Sequence, residues 1–438
     1  MGLCQVCSTQ SIYDLLDSAV KNTKLTDQAR DHVSLGRWVD LQSRRESCQL
    51  CDAVTILLRE TITKRLPSNY PVFQRAVEED VTCGLKRYAP AHIDVSTSIP
   101  GGYARIAISV EVQKRTYTGR EPIYFQLDDA FQVSVTPPQS YVGAILPASP
   151  QGKLQARPAT LVRPQIVADP YDPRLIREWL DLCIHDHGDA CLSPSVEPIS
   201  KIRLVDIKKQ AIIEFPCSEN AQIPPFVALS WVWGSTKARD GLTLNRVPLA
   251  AKDNFLDSLQ LPPAVHDLLD LVAQIEERFI WVDILGIVQD DELDKQWYIP
   301  RMGAIYSGAL FTVVANGANG SQDGLPGVRA DARPREQVTL DIGGVTLTSC
   351  LEPKFTYSSD PQDVAKFRED DFIPPWETRG WTLQEKLLAR RCLIMGSRQM
   401  YWQCLQASYC EETRYEQLPN PVKKDIISTH EPLDSVFS

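Results

Sequence analysis

The stretches Phe226-Val-Ala-Leu-Ser-Trp-Val-Trp-Gly234 and Phe279-Ile-Trp-Val-Asp-Ile-Leu-Gly-Ile-Val-Gln-Asp-Asp291 decide the fold of this chain. Each is a short apolar run that ends on polar residues. Between and beyond them the hydrophobic period lengthens to that of a helix, and 310–315 is again a short apolar run. Read in order, 227–231 is a strand, 264–277 a helix, 279–288 a strand, 292–307 a helix and 310–315 a strand. That β-α-β-α-β order predicts an α/β fold with a mostly parallel sheet and helices on its faces. Ligands of open parallel sheets collect beyond the carboxyl ends of the strands. Ser230, the Trp233-Gly234 turn, Asp283 and Gln289-Asp290-Asp291 are therefore expected near one crevice. The packing alternative makes Trp231, Trp233 and Trp281 core aromatics and Ser230 a turn cap.

The chain has 438 residues, 43% of them hydrophobic, enough for two or three domains. A net charge of -10 and a pI near 5.3 argue against a general nucleic-acid-binding surface. No apolar run has the length of a membrane span, and no secretory signal pattern is present. Twelve cysteines are too few for a disulfide scaffold of this size. They are expected as reduced thiols in the cytosol or nucleus, with the cytoplasm the expected location. The start, Met1-Gly-Leu-Cys4, invites acylation, but Val6 stands where the myristoylation pattern needs Ser or Thr.

Five segments are expected. Residues 1–135 form a separate N-terminal α+β domain. A helical run follows Cys51, and Ala104, Ile106, Ile108, Val110 and Val112 alternate with mostly polar residues as in a half-buried strand. Residues 124–127 and 131–135 read as neighbouring strands. The proline-rich stretch 136–173 reads as a linker. Residues 174–223 hold a helix and a hairpin-like pair, 224–420 the α/β domain and 421–438 a tail.

Cys4-x-x-Cys7 and Cys48-x-x-Cys51 form two knuckles, and four thiolates suit a structural zinc ion. His32 is an alternative fourth ligand, and buried free thiols are the alternative to a metal site. Cys183, His187 and Cys191 are spaced by four residues and lack a clear fourth ligand; Gly188 argues that the helix ends before Cys191.

A third block, Arg379-Gly-Trp-Thr-Leu-Gln-Glu385, reads as a helix with Trp381, Leu387 and Leu388 on a buried face. Glu385 lies one turn after Trp381, and a carboxyl beside a large apolar ring is pushed above its ordinary pKa. The alternative pairs Glu385 with Arg379, Arg390 or Arg391. A Ser-His-Asp site is disfavoured, because no histidine falls inside the three blocks. A phosphate-cradling glycine loop is also missing.

The three blocks, with Arg301-Met-Gly-Ala-Ile-Tyr-Ser-Gly-Ala309, Gly324-Leu-Pro-Gly327 and Tyr401-Trp-Gln-Cys404, resemble the fungal heterokaryon-incompatibility (HET) domain over 226–386. The chain departs from that family at Gly286, where Cys is common, and at Val288, where Asn is common. A mechanism needing that thiol or amide fails here; a small residue at 286 close to another backbone survives. The resemblance implies a TIR-like (flavodoxin-like) C-terminal half and a role in fungal non-self recognition and programmed cell death. The third block is similar to the Trp-Cys-x-x-Glu helix of TIR domains, whose Glu supports cleavage of NAD in enzymatic members. By that likeness Glu385 is catalytic, and Ser230, Trp233, Gly234, Asp283 and Trp381 shape an NAD site. The rival is a non-enzymatic module that self-associates or binds protein partners; a third reading is a zinc-dependent adaptor.

Overall fold

The computed structural model describes residues 2–21, 32–65, 81–88, 104–116, 119–135, 163–164, 166–187, 191, 199–216, 223–318, 320, 322–330, 333, 337–351, 354–358, 375–376, 385 and 388–414. Most of the proline-rich stretch and all of the tail read at 421–438 lie outside them. The chain divides into two units. The first takes its described residues from 2–166, 337–358 and 412–414, the second from 167–333 and 375–411.

In the first unit, α1 (Gln10–Lys21) buries Ile12, Leu15 and Leu16, one face of a helical turn pattern. Strand β1 (His32–Arg37) runs into α2 (Trp38–Arg44), and α3 (Gln49–Arg65) buries Leu50, Ala53, Val54, Leu57 and Leu58. These helices share one core with β1, β2 (Val81–Tyr88) and Ile108 of β3 (Ala104–Thr116). The segments read as two strands at 124–127 and 131–135 are one long strand, β4 (Gly119–Val135), paired antiparallel with β3. Three strands from far along the chain, Thr339–Ile342, Val345–Ser349 and Lys354–Ser358, complete this seven-stranded antiparallel sheet. The last two pair with β4 itself. These residues fall within the 224–420 segment expected for the α/β domain, but an alternating strand does not name its partner.

In the second unit, α4 (Pro173–Asp186) begins on an Asp172 side chain that accepts from the Arg174 amide, with Pro173 at the first helical position. A hairpin follows, β5 (Lys201–Asp206) and β6 (Ala211–Pro216). Then come β7 (Val227–Ser230), α5 (Pro263–Gln274) and β8 (Phe279–Trp281). After β8 the chain turns once as α6 (Asp283–Gly286) and continues through α7 (Glu292–Tyr298) and α8 (Met302–Gly308) to β9 (Phe311–Val314). Strands β10 (Arg391–Met395), β11 (Met400–Cys404) and β12 (Ser408–Cys410) close the unit. Its eight strands lie in the order β12-β11-β10-β9-β7-β8-β5-β6. The four central strands, β10-β9-β7-β8, are parallel, and both edges are antiparallel. Every residue of β7, β9 and β10 is buried, as strands covered on both faces require.

Two expectations are corrected. The strand read at 279–288 is three residues long and then becomes the α6 turn. Ile284, Leu285, Ile287 and Val288 are buried, so their apolar run suits either conformation. The helix read at 292–307 is interrupted at Ile299–Arg301, a 3-10 turn. Pro300 has no N–H to continue the α-helical ladder.

The start of β8 is fastened to β5 by charge. Arg278 Nη2 donates to Asp206 Oδ2 at 2.6 Å, and the Lys208 and Lys209 amides donate to Asp206 Oδ1. Burial pushes the Asp206 carboxyl up, but Arg278 and these amides outweigh it and hold it below the ordinary Asp value. A lowered folded pKa contributes stability above the unfolded value and loses it as pH falls through the folded one. Asp206→Asn should therefore cost about 1 kcal/mol at neutral pH, a small figure because Arg278 is half-exposed. The difference should shrink below about pH 4 in denaturant melts of both chains. No described helix is long and apolar enough to cross a membrane.

Candidate functional site

Ser230 ends β7, in register with Val314 at the end of β9. Its hydroxyl is fully buried and has two partners among the described residues. It donates to Glu385 Oε2 and accepts from Trp376 Nε1 at 2.8 Å. Glu385 is half-buried, and its carbonyl accepts from the Ala389 amide at 3.2 Å, one turn of helix. Tyr306, fully buried on α8, donates its hydroxyl to the Leu229 carbonyl at 3.1 Å and lies against Glu385. Burial, then the negative charges of Glu385 and Asp283, raise the Tyr306 phenol well above its ordinary pKa. The phenol therefore keeps its proton and donates it to the Leu229 carbonyl.

Asp283 follows β8 at the head of α6. Its Oδ1 accepts from Trp231 Nε1 at 2.9 Å and from the Ile284 amide at 2.7 Å, and its Oδ2 accepts from Trp233 Nε1 at 2.7 Å. One carboxylate thus fixes two indoles whose rings are 6.3 Å apart. Gly234 is exposed at φ +58, a left-handed position that glycine takes without strain, and the Thr236 amide closes the turn on the Trp233 carbonyl.

Three readings change with this geometry. Gln289, Asp290 and Asp291 hold backbone rather than line a crevice. Gln289 donates to the Asp283 and Ile287 carbonyls, Asp290 accepts from the Leu244 amide, and Asp291 caps α7. Gly286 is needed small, but beside a ring rather than a backbone: a Cβ there would lie 2.5 Å from Trp281 Nε1. Leu388 is exposed and not on a buried face. Trp381 and Arg379 lie outside the described residues.

Two further residues meet this site without a local sequence signal. Tyr306 lies within the Arg301–Ala309 block quoted above, yet nothing local marks its hydroxyl as a partner of Glu385. Trp376 follows two prolines and carries no signal at all.

The two cysteine knuckles meet in the first unit. The ligand atoms of Cys4, Cys7, Cys48 and Cys51 all lie within 4.8 Å of one another, with Cys7–Cys51 and Cys4–Cys51 sulfurs 3.6 and 3.9 Å apart. Neighbouring sulfurs of a tetrahedral site with Zn–S bonds of about 2.3 Å are about 3.8 Å apart, so the four thiols fit a zinc ion. His32 is not one of the four. Hydrogen bonding from Cys7, then Cys48 and the Arg44 charge, brings the Cys51 thiol down to about 6 against burial. In the second unit Cys404 lies beside Cys183, His187 and Cys191, a fourth side chain able to ligate that local spacing does not supply. The described cysteines form no disulfide.

Asp283→Ala would leave the indole N–H groups of Trp231 and Trp233 without their acceptor, and Trp231 is buried. A loss of about 2–4 kcal/mol is expected in denaturant unfolding, and Asp283→Asn, which keeps one acceptor, should lose less.

Residues 226–385 match the family described as heterokaryon incompatibility protein (HET). No curated protein and no solved structure matches the chain. The matched span opens one residue before β7, includes the Asp283 turn and closes on Glu385. The residues that meet around Ser230 therefore belong to a HET domain, and the chain is a HET-domain protein.

Proposed function

We propose that this chain acts in heterokaryon incompatibility, as an effector of fungal non-self recognition and programmed cell death, and that it does so by cleaving the nicotinamide–ribose bond of NAD. The observation that supports this reading best is the meeting of Ser230, Glu385, Trp376 and Tyr306 at the carboxyl end of a central parallel strand. A TIR-like fold for the second unit is part of the same reading.

Glu385 has one oxygen engaged by the Ser230 hydroxyl, and a ribose hydroxyl can offer the same kind of hydrogen bond. The C1′–N bond breaks with its electron pair moving onto the nicotinamide nitrogen, which neutralises the pyridinium ring. Positive charge develops on the ribose, and the carboxylate of Glu385 stabilises it, with Asp283 adding to the field. Water oxygen bonds to C1′, and its proton passes to Glu385 and then to solvent. The products are nicotinamide, ADP-ribose and a proton. Trp376 holds the Ser230 hydroxyl in place, and Tyr306 keeps its proton and spares the pair of carboxylates a third negative charge. Trp233, Gly234 and Trp381 shape the pocket. The reaction draws on cytoplasmic NAD, and the Cys4, Cys7, Cys48 and Cys51 thiols hold a structural zinc ion.

A second reading is a module that works by self-association or by binding protein partners. It is favoured by Leu244, Val247 and Leu249, which expose apolar side chains on the segment between β7 and α5.

Purified chain should release nicotinamide from NAD, and Glu385→Ala at matched folding should slow release by about 10²–10⁴-fold. Wild-type chain that assembles but releases no nicotinamide would overturn the enzyme and leave the second reading.

A further inference from the structure

The end of α4 and the end of β11 bring together Cys183, His187, Cys191 and Cys404. All four ligand atoms lie within 4.8 Å of one another. The His187 Nδ1 atom is 3.4 Å from the Cys404 sulfur and 3.7 Å from the Cys191 sulfur. For a tetrahedral zinc ion with Zn–S of about 2.3 Å and Zn–N of about 2.05 Å, the nitrogen–sulfur edge is about 3.6 Å. The two His187–sulfur distances already match that edge.

A second observation is independent of these distances. Arg391 is buried on β10, opposite Cys404 in the β10–β11 register. Its Nε donates to the Cys183 sulfur at 3.1 Å and its Nη1 to the Leu310 carbonyl at 3.1 Å. Among the described residues Arg391 has no carboxylate partner. A guanidinium stays charged at any working pH, and a buried charge needs an opposite one. The Cys183 sulfur that accepts from Arg391 supplies it as a thiolate. A zinc dication with three thiolates and a neutral imidazole carries one net negative charge, which Arg391 balances through Cys183.

We propose that Cys183, His187, Cys191 and Cys404 bind a zinc ion, with Arg391 as its charge-compensating outer partner. This site is separate from the Cys4 cluster and from Glu385. Three thiols lose their protons when it fills. The ion cross-links the α4 end to β11, two strands from β9 in the sheet that carries Ser230. Packing of Trp179 on α4 against Tyr409 on β12, with ring centres 6.2 Å apart, brings the two elements together in the same region.

Zinc per chain, measured on the purified 438-residue chain by native mass spectrometry, tests this. Two ions are expected in the wild type and one in Cys404→Ser. A Cys4→Ser/Cys7→Ser chain, which disables the other cluster, should still take up one cobalt ion with thiolate charge-transfer absorption. Arg391→Gln keeps every ligand and should weaken zinc affinity about 10–100-fold in chelator competition. A zinc count unchanged by Cys404→Ser, or a folded Cys4→Ser/Cys7→Ser chain that takes up no cobalt, would overturn the site. Loss of metal confined to the Cys4→Ser/Cys7→Ser chain would place all the zinc in the first unit and reject this assignment.

Discussion

The hydrogen bond from the Ser230 hydroxyl to Glu385 joins residues 155 positions apart in the chain. Much of the arrangement of the second unit serves to make it possible. Ser230 is held by the parallel ladders of β7 with β8 and β9, and its carbonyl accepts the Ala315 amide just beyond β9. Glu385 leads by a helical turn into β10, which is parallel to β9 on its other side. A hydrogen bond to a charged acceptor contributes more than one between neutral groups, about 1.5–3 kcal/mol. Partial burial also removes competing water. Trp376 Nε1 donates to the same hydroxyl, so Ser230 accepts from Trp376 while it donates to Glu385.

Asp283 shows how a residue can be well placed in sequence and have a different task from the one expected. Its position just after a central strand suits a ligand group, but its oxygens are engaged by two indoles and a backbone amide. It fixes Trp231 and Trp233 and adds negative charge near Tyr306. That division, with one carboxylate holding the frame and another meeting a hydroxyl, follows from what each carboxylate touches.

The short buried strands, the α4 and α5 helices and the hairpin were legible because their patterns are local. Val227–Ser230 is apolar up to its polar end, and Pro263 marks a helix start in its first turn. The β8–α6 boundary was not legible, since Ile284, Leu285, Ile287 and Val288 are buried whichever backbone they adopt. The strands at 339–358 alternate as strands do, but pairing with β4 is a long-range choice that period-two patterns do not encode. Ser230, Asp283 and Glu385 could be picked from their blocks. Trp376, Tyr306 and Cys404 could not be assigned partners, because each acts on a residue at least 70 positions away. Gly286 was read correctly as a place for a small residue, and the neighbour it spares is the indole of Trp281.

The most direct test of this account is a double-mutant cycle on stability, with Ser230→Ala, Glu385→Gln and the pair, followed by urea unfolding. A coupling of about 1.5–3 kcal/mol between the two positions is expected. Additive losses, with no coupling beyond error, would mean that the two side chains do not meet in solution and that the site around Ser230 is not assembled as described.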